Sequence, residues 1–270
     1  MKNICFYHDD SDGIMSAAIV MSVYPSIKCV PVQYGSEDKA IAQLGSNEYE
    51  HIFLVDFSFT EELMDKLIEH ANIQFVWIDH HKSAMEKMPD LWNSTEIAGI
   101  REIGKSGCLL TWEYFHTTSA PMSVHYINDY DIWAHKLPDT KPFHEGFCLF
   151  YTRPERIDPR LLIDDDVSNV LEAGRYLIAA KNQRIEKVFK NGNEREYYGH
   201  KAYFVNCPHD ISNLGHYILE QGYDIAVIFY DEGDKINYSL RSKPDVDVSE
   251  IAKSYGGGGH KNAAGYHIKR

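Results

Sequence analysis

Two stretches, Phe53-Leu54-Val55-Asp56 and Phe75-Val76-Trp77-Ile78-Asp79, place an unbroken apolar run directly before an aspartate. A strand with one wet face alternates apolar and polar residues, whereas a run without alternation belongs in a sheet covered on both faces. Helices must therefore lie above and below it. The spacing predicts strands over Ile4 to Tyr7, Lys28 to Gln33, His51 to Asp56 and Ile73 to Asp79, with helices near Ile14 to Val23, Thr60 to His70 and Ser106 to His116. Strands alternating with helices give an α/β fold built on a mostly parallel sheet with helices on both faces. Asp12 or Ser106 is able to accept from the open backbone N–H groups at a helix start.

A second regime follows the acidic, proline-containing stretch Arg153-Pro154 through Asp164-Asp165-Asp166, the boundary candidate. Val167, Val170, Leu171, Gly174, Leu177, Ile178, Ile185 and Val188 recur at helical spacing, which predicts a long linking helix ending at Asn191-Gly192-Asn193. His200 to Cys207, Asp224 to Tyr230 and Lys235 to Arg241 read as strands, with a helix around Ile211 to Gln221 and a hairpin turn at Asp231-Glu232-Gly233-Asp234. The expected division is 1–165, a linking helix over 166–192, and a smaller α/β domain over 193–270.

Forty acidic against 27 basic residues give a formal net charge of -13, which disfavours a general clamp for long nucleic acid. Short or terminal anionic substrates remain compatible with local cations. Most of the 18 tyrosines are expected in the core or at strand rims rather than as base platforms. Five cysteines without a C-x-x-C pair argue against a disulfide framework and a thiolate zinc site. The N-terminus runs into charged residues without the apolar stretch of a secretory signal, and no uncharged run approaches a membrane span of about 18 residues. These features predict a cytoplasmic protein in a reducing setting.

Four signals sit where the strands of the first domain should end. The first is His8-Asp9-Asp10-Ser11-Asp12-Gly13, in which alternation would aim His8, Asp10 and Asp12 to one side while Gly13 relaxes the backbone. Alone, such a cluster is more often a solvated turn with a helix cap than a metal site. The second is Asp56, which must lie at the sheet mouth or be paired, because burying an isolated carboxylate is costly. The third is Asp79-His80-His81, and the fourth Asn128-Asp129-Tyr130-Asp131 near a helix end. In open parallel sheets the carboxyl ends of the strands converge on the ligand crevice.

Carboxylate and imidazole ligands without thiolate suit Mn²⁺ or Mg²⁺, and two such ions need about six to eight ligands with one carboxylate shared. His8, Asp10, Asp12, Asp56, His80 and either Asp131 or Asp129 supply that set. Two ions roughly 3.5–4 Å apart would hold a bridging hydroxide in line with a phosphorus. The implied reaction is hydrolysis of a phosphoester or phosphoanhydride by water.

Asp79-His80-His81 resembles the name-giving triplet of the DHH phosphoesterases, and His8-x-Asp10-x-Asp12-Gly13 is similar to their first motif in the compact spacing of RecJ-type members. Gly257-Gly258-Gly259-His260-Lys261-Asn262-Ala263-Ala264-Gly265 resembles the signature of the associated DHHA1 domain. The resemblance implies metal ligation by His8, Asp10, Asp12, His80 and Asp131, with Asp129 as the alternate, and a bridging role for Asp56. It implies that His81 faces the scissile phosphate and that Asp79 supports the site. It further implies substrate binding by Arg241, Gly258, Gly259, His260 and Lys261. Glycines without Cβ atoms let backbone N–H groups approach an anion, in a structured loop before a terminal strand.

The expected activity is that of the nanoRNase-type stand-alone members: a phosphoric diester hydrolase, exonuclease-like and dependent on two Mn²⁺ ions with Mg²⁺ as the other option. Short oligonucleotides or linear dinucleotides would be cut to nucleoside monophosphates, the second domain holding a neighbouring nucleotide as a ruler. The alternatives are hydrolysis of polyphosphate, a cyclic dinucleotide or a nucleoside bisphosphate, and a nucleotide sensor without turnover. Long duplex nucleic acid and membranes are not expected partners, and a homodimer is compatible with the sequence.

Overall fold

The computed structural model describes residues 2–45, 49–163 and 165–270. Asp164, part of the acidic boundary stretch, lies outside these. The chain forms two compact units, Met1–Leu177 and Ile178–Arg270.

The first unit is built on β1 (Asn3–His8), β2 (Lys28–Val32), β3 (Tyr49–Val55) and β4 (Ala71–Ile78), a parallel sheet in the order β2-β1-β3-β4. Its helices are α1 (Ser11–Val23), α2 (Glu37–Ile41), α3 (Glu61–His70), α4 (Lys82–Lys87), α5 (Pro89–Trp92), α6 (Gly107–Phe115), α7 (Met122–Asp131), α8 (Thr140–Phe150) and α9 (Arg160–Ile163), with a 3₁₀ turn over Pro154–Arg156. The unbroken apolar runs are explained by the period of two. Cys5, Tyr7, Phe53, Val55, Val76 and Ile78 pack on one face with residues of α1, α6, α7 and α8. Ile4, Phe6, Ile52, Leu54, Phe75 and Trp77 pack on the other with residues of α2, α3, α4 and α5. The sheet is thus covered on both sides, as the runs require.

Because β1, β3 and β4 are parallel neighbours, their carboxyl ends emerge side by side. His8 closes β1, Asp56 follows β3, and Asp79-His80 follows β4. Arg101 secures the segment beyond β4 by donating to the carbonyls of Trp77 (3.0 Å), Trp92 (2.8 Å), Ser94 (2.9 Å) and Ile97 (3.0 Å).

The boundary between the units falls within α10 (Ser168–Phe189), a 22-residue helix. The second unit carries β5 (Asn193–Tyr197), β6 (His200–Asn206), α11 (Ile211–Glu220), β7 (Ile225–Asp231), β8 (Lys235–Ser242), α12 (Val248–Ser254), β9 (Gly258–His260) and β10 (Ala263–Lys269). The sheet order is β5-β6-β7-β8-β10-β9, with β6 and β7 parallel and the other pairs antiparallel. Tyr203, Val205, Ala226 and Ile228 face Ile185 and α11; Ile225, Val227, Leu240 and Tyr266 face α12. The glycine run therefore departs from its expected loop. Residues Gly258–His260 form an edge strand, and Ala263-Ala264-Gly265 begins the strand that pairs with it. Among the described residues no helix is long and apolar enough to cross a membrane.

Candidate metal centre

The first motif is not an extended turn. Asp10 is the N-cap of α1, its carboxylate accepting from the Gly13 backbone N–H at 3.0 Å, while Asp12 lies in the first helical turn. Gly13 does not need unusual backbone angles. It is required because a Cβ there would lie 2.0 Å from the His8 carbonyl oxygen, so strand β1 and the start of α1 meet only over a glycine. Asp12 reaches across the fold instead of capping its own helix: its carboxylate accepts from the backbone N–H groups of Gly107 (2.6 Å) and Cys108 (2.8 Å), the first residues of α6. Those N–H groups are the unpaired, partly positive end of a helix, suited to a buried carboxylate.

Asp56 sits between β3 and β4, its backbone N–H donating to the Ile78 carbonyl at 2.9 Å, and adopts φ 55°. A left-handed aspartate outside a turn is a strained position of the kind functional sites retain. Its two oxygens face different rings: Oδ1 lies 3.1 Å from His80 Nε2 and Oδ2 lies 3.7 Å from His8 Nδ1. His80 Nε2 is also 3.7 Å from Asp12 Oδ2 and 3.4 Å from Asp131 Oδ2. His8 Nδ1 is 2.8 Å from Asp10 Oδ2, although outside hydrogen-bond geometry.

Three overlapping groups of side chains offer ligand atoms within 4.8 Å of one another: His8, Asp10 and Asp56; Asp12, His80 and Asp131; and Asp56, His80 and His81. The six residues predicted as ligands are brought together from four separate segments. Asp79 stands behind them. It accepts from the backbone N–H groups of His80 (2.8 Å) and His81 (3.2 Å), from Ser58 Oγ (2.5 Å) and from His81 Nδ1 (2.7 Å). A carboxylate acceptor puts the proton on His81 Nδ1 and leaves Nε2 as the nitrogen free to act.

Asp129 has a different task from Asp131. Its carboxylate accepts from the backbone N–H groups of Lys136 (2.9 Å) and Leu137 (3.0 Å) and from Thr140 Oγ1, so it ties the end of α7 to the start of α8. Burial works to raise its pKa, but these bonds outweigh it and hold the carboxyl below the usual range.

The electrostatics describe a site with too much negative charge for its depth. Burial, then the Asp56 charge, pushes Asp12 up to about 7, and burial with the Asp12 charge does the same to Asp131. Burial also raises Asp56 against the opposing pull of His8 and His80. Burial disfavours charge on the imidazoles, yet the carboxylates prevail, pushing His8 up to about 10 and His80 up to about 9. His81 is raised in the same way by Asp79. His8 Nδ1, Asp56 Oδ2 and Asp131 Oδ2 are buried without a hydrogen-bond partner. Leaving such atoms unpaired is expensive. A divalent cation would pair them and discharge the carboxylates, and the oxygen and imidazole donors fit one.

Sequence reasoning did not connect Asp12 with the start of α6. It placed a helix start at Ser106, which caps α6 by accepting from Leu109 N–H at 3.5 Å. Contact between residues 12 and 107 is a property of the fold and has no local signal. In the second unit, Arg241 lies on β8, donating to Ser212 Oγ at 3.1 Å and to the Leu240 carbonyl at 2.9 Å. Gly258, Gly259 and His260 form the exposed edge strand β9, and Lys261 follows it.

The chain matches the DHH family, N-terminal domain, over residues 2–134 and the DHHA1 domain over residues 208–270. It is 29% identical over 290 residues to the uncharacterized protein R106 of Acanthamoeba polyphaga mimivirus, covering 97% of this chain and 66% of that protein, just under two thirds of its length. It is 24% identical over 298 residues to the oligoribonuclease NrnB of Bacillus subtilis (strain 168), covering 97% and 72%. Among solved structures, the pGpG-specific phosphodiesterase PggH of Vibrio cholerae shares the fold at 13% identity and a TM-score of 0.53, over 100% of this chain and 94% of that one. The two matched domains follow one another in the order that their motifs predict: the chain carries a DHH-family N-terminal domain followed in sequence by a DHHA1 domain.

Proposed function

We propose that this chain is a metal-dependent phosphodiesterase that hydrolyses short oligonucleotides or linear dinucleotides to nucleoside monophosphates. The observation that carries the reading is Asp56, buried, strained and common to two of the three ligand groups, with one oxygen turned toward His80 and the other toward His8. A carboxylate so placed could be shared by two divalent cations. Bound Mn²⁺, or Mg²⁺ in its place, would acidify a water molecule and neutralise the non-bridging phosphate oxygens.

Around that centre the residues divide the work. His8 and Asp10 would hold one cation, Asp12, His80 and Asp131 the other. The N–H groups at the start of α6 orient the Asp12 carboxylate and favour its charged form, against the burial that raises its pKa. His81, with its Nδ1 proton committed to Asp79, presents Nε2 to a phosphate oxygen, and its raised pKa keeps a proton there for the leaving oxygen. Arg241, Gly258, Gly259, His260 and Lys261 are the proposed anion contacts of the second unit. The name of the Bacillus relative supports RNA oligonucleotides as substrates, and that of the Vibrio structure suggests the linear dinucleotide as the shortest substrate to try. The net charge of -13 favours short substrates over long ones.

The test is hydrolysis with Mn²⁺ of RNAs of two to twenty nucleotides, polyphosphate and cyclic dinucleotides. The shortest RNAs should be cut fastest, and preferential cleavage of polyphosphate would overturn the reading. Asp56→Asn should lower turnover by at least about a hundredfold while the protein stays folded. Undiminished turnover in that variant would remove the shared-carboxylate role.

A further inference from the structure

Of the four tryptophans, Trp77, Trp92 and Trp112 are buried, whereas Trp133 is 72% exposed. An indole left in water forgoes a large apolar burial. Its placement is costly a second time. Trp133 has φ 57° and His135 φ 46°, left-handed values that bulky side chains seldom adopt.

Asp129 is the main anchor of the strained loop, while the Trp133 backbone N–H donates to the Tyr130 carbonyl at 3.0 Å. The Asp129 carbonyl accepts from the backbone N–H groups of Ala134 (3.0 Å) and His135 (3.2 Å), and its carboxylate takes the next two N–H groups, of Lys136 and Leu137. Tyr130 and His135 meet the indole edge to face, at centroid distances of 5.9 and 4.5 Å. The ring is therefore braced rather than loose. It also begins two residues after Asp131, whose Oδ2 lies 3.4 Å from His80 Nε2 in the metal cluster. A braced, exposed aromatic ring beside the reacting centre is suited to a flat π face.

We propose that Trp133 is the specificity-determining platform on which a nucleobase next to the scissile phosphate stacks. The inference rests on the phosphodiesterase reading above and deepens it: the centre acts on nucleotides because the ring beside it selects a base. Stacking is tolerant of sequence, so the preference expected is for the presence of a base and not for its identity.

Because the other tryptophans are buried, collisional quenching by acrylamide reports Trp133. With Mg²⁺ bound, adenosine monophosphate should protect the quenchable fluorescence and ribose 5-phosphate should not; Trp133→Phe should remove the quenchable component. In turnover, Trp133→Ala should raise KM for a dinucleotide by about tenfold, with little change in kcat, and leave an abasic dinucleotide unaffected. Trp133→Phe should recover most of the loss. Tyr176→Ala, an exposed ring on α10, should behave as the wild type. An unchanged KM in Trp133→Ala, or an equal loss on the abasic substrate, would overturn the proposal. If the wild type cleaves no dinucleotide, the functional reading fails, and protection by the monophosphate alone then decides the stacking: its absence overturns that too.

Discussion

Gly107 has no room for a side chain: a Cβ there would lie 2.6 Å from Asp56 Cβ and 2.9 Å from Asp56 Oδ1. It stands at the first position of α6, where alanine is ordinarily the better helix former by up to about 1 kcal/mol. Gly107→Ala therefore sets two effects against each other, and crowding of a buried, strained aspartate should win. The expected result is a net loss of about 1–3 kcal/mol in denaturant unfolding and at least tenfold weaker Mn²⁺ binding by calorimetry. A gain in stability with unchanged metal affinity would show that Asp56 has slack. The same residue scale explains why Asp79 is not exchangeable with the candidate ligands. All its near neighbours are donors, and its work is to hold His80 and His81 in place.

At the scale of elements, the end of α7 assigns opposite roles to two aspartates two residues apart. Asp129 is satisfied and structural; Asp131 is raised to about 7 by burial and the Asp12 charge and has an unpaired oxygen. Asp129→Ala should destabilise the protein by about 2–4 kcal/mol, because it strands the donors of the α7–α8 connection. Asp131→Ala should leave the metal-free protein as stable as the wild type or more so, since it removes a poorly paired buried carboxyl, and should weaken Mn²⁺ binding at least tenfold. Urea melts and metal titrations of the two variants distinguish them, and equal destabilisation by both would contradict the division.

At the scale of the whole molecule, the cluster links metal binding, stability and pH. In the folded, metal-free protein His8 and His80 are raised to about 10 and about 9, and Asp12 and Asp131 to about 7. Each is higher than its unfolded value, so the folded state binds more protons. The stability contributed by the histidines is present below about pH 6.5 and lost as pH rises through about 9 to 10. The raised acids act in the same direction between about pH 4 and 7. The Tm of the metal-free protein should therefore fall from pH 6 to pH 9. Mn²⁺ must displace these protons, so its affinity should rise over the same interval, the Tm of the loaded protein should fall less, and titrations should release protons. A metal-free Tm that climbs with pH would refute the cluster's electrostatics.

The sequence by itself determined much of this protein. Unbroken apolar runs ending in Asp56 and Asp79 required a parallel sheet covered on both faces, because the period of two sends alternate residues to opposite sides. Chain order then put the chemistry at the strand ends, and the triplet and glycine run identified both domains. Only the tertiary structure decided which groups meet. The pairing of Asp12 with the first turn of α6, the exclusion of a side chain at Gly107 and the separation of Asp129 from Asp131 depend on contacts across many residues. So does the edge strand at Gly258–His260, since local composition describes how a segment bends but not which neighbour receives its hydrogen bonds. The exposure of Trp133 belongs to the same class: in sequence it is one more apolar residue after a helix, and only a loop clasped by Asp129 turns it outward.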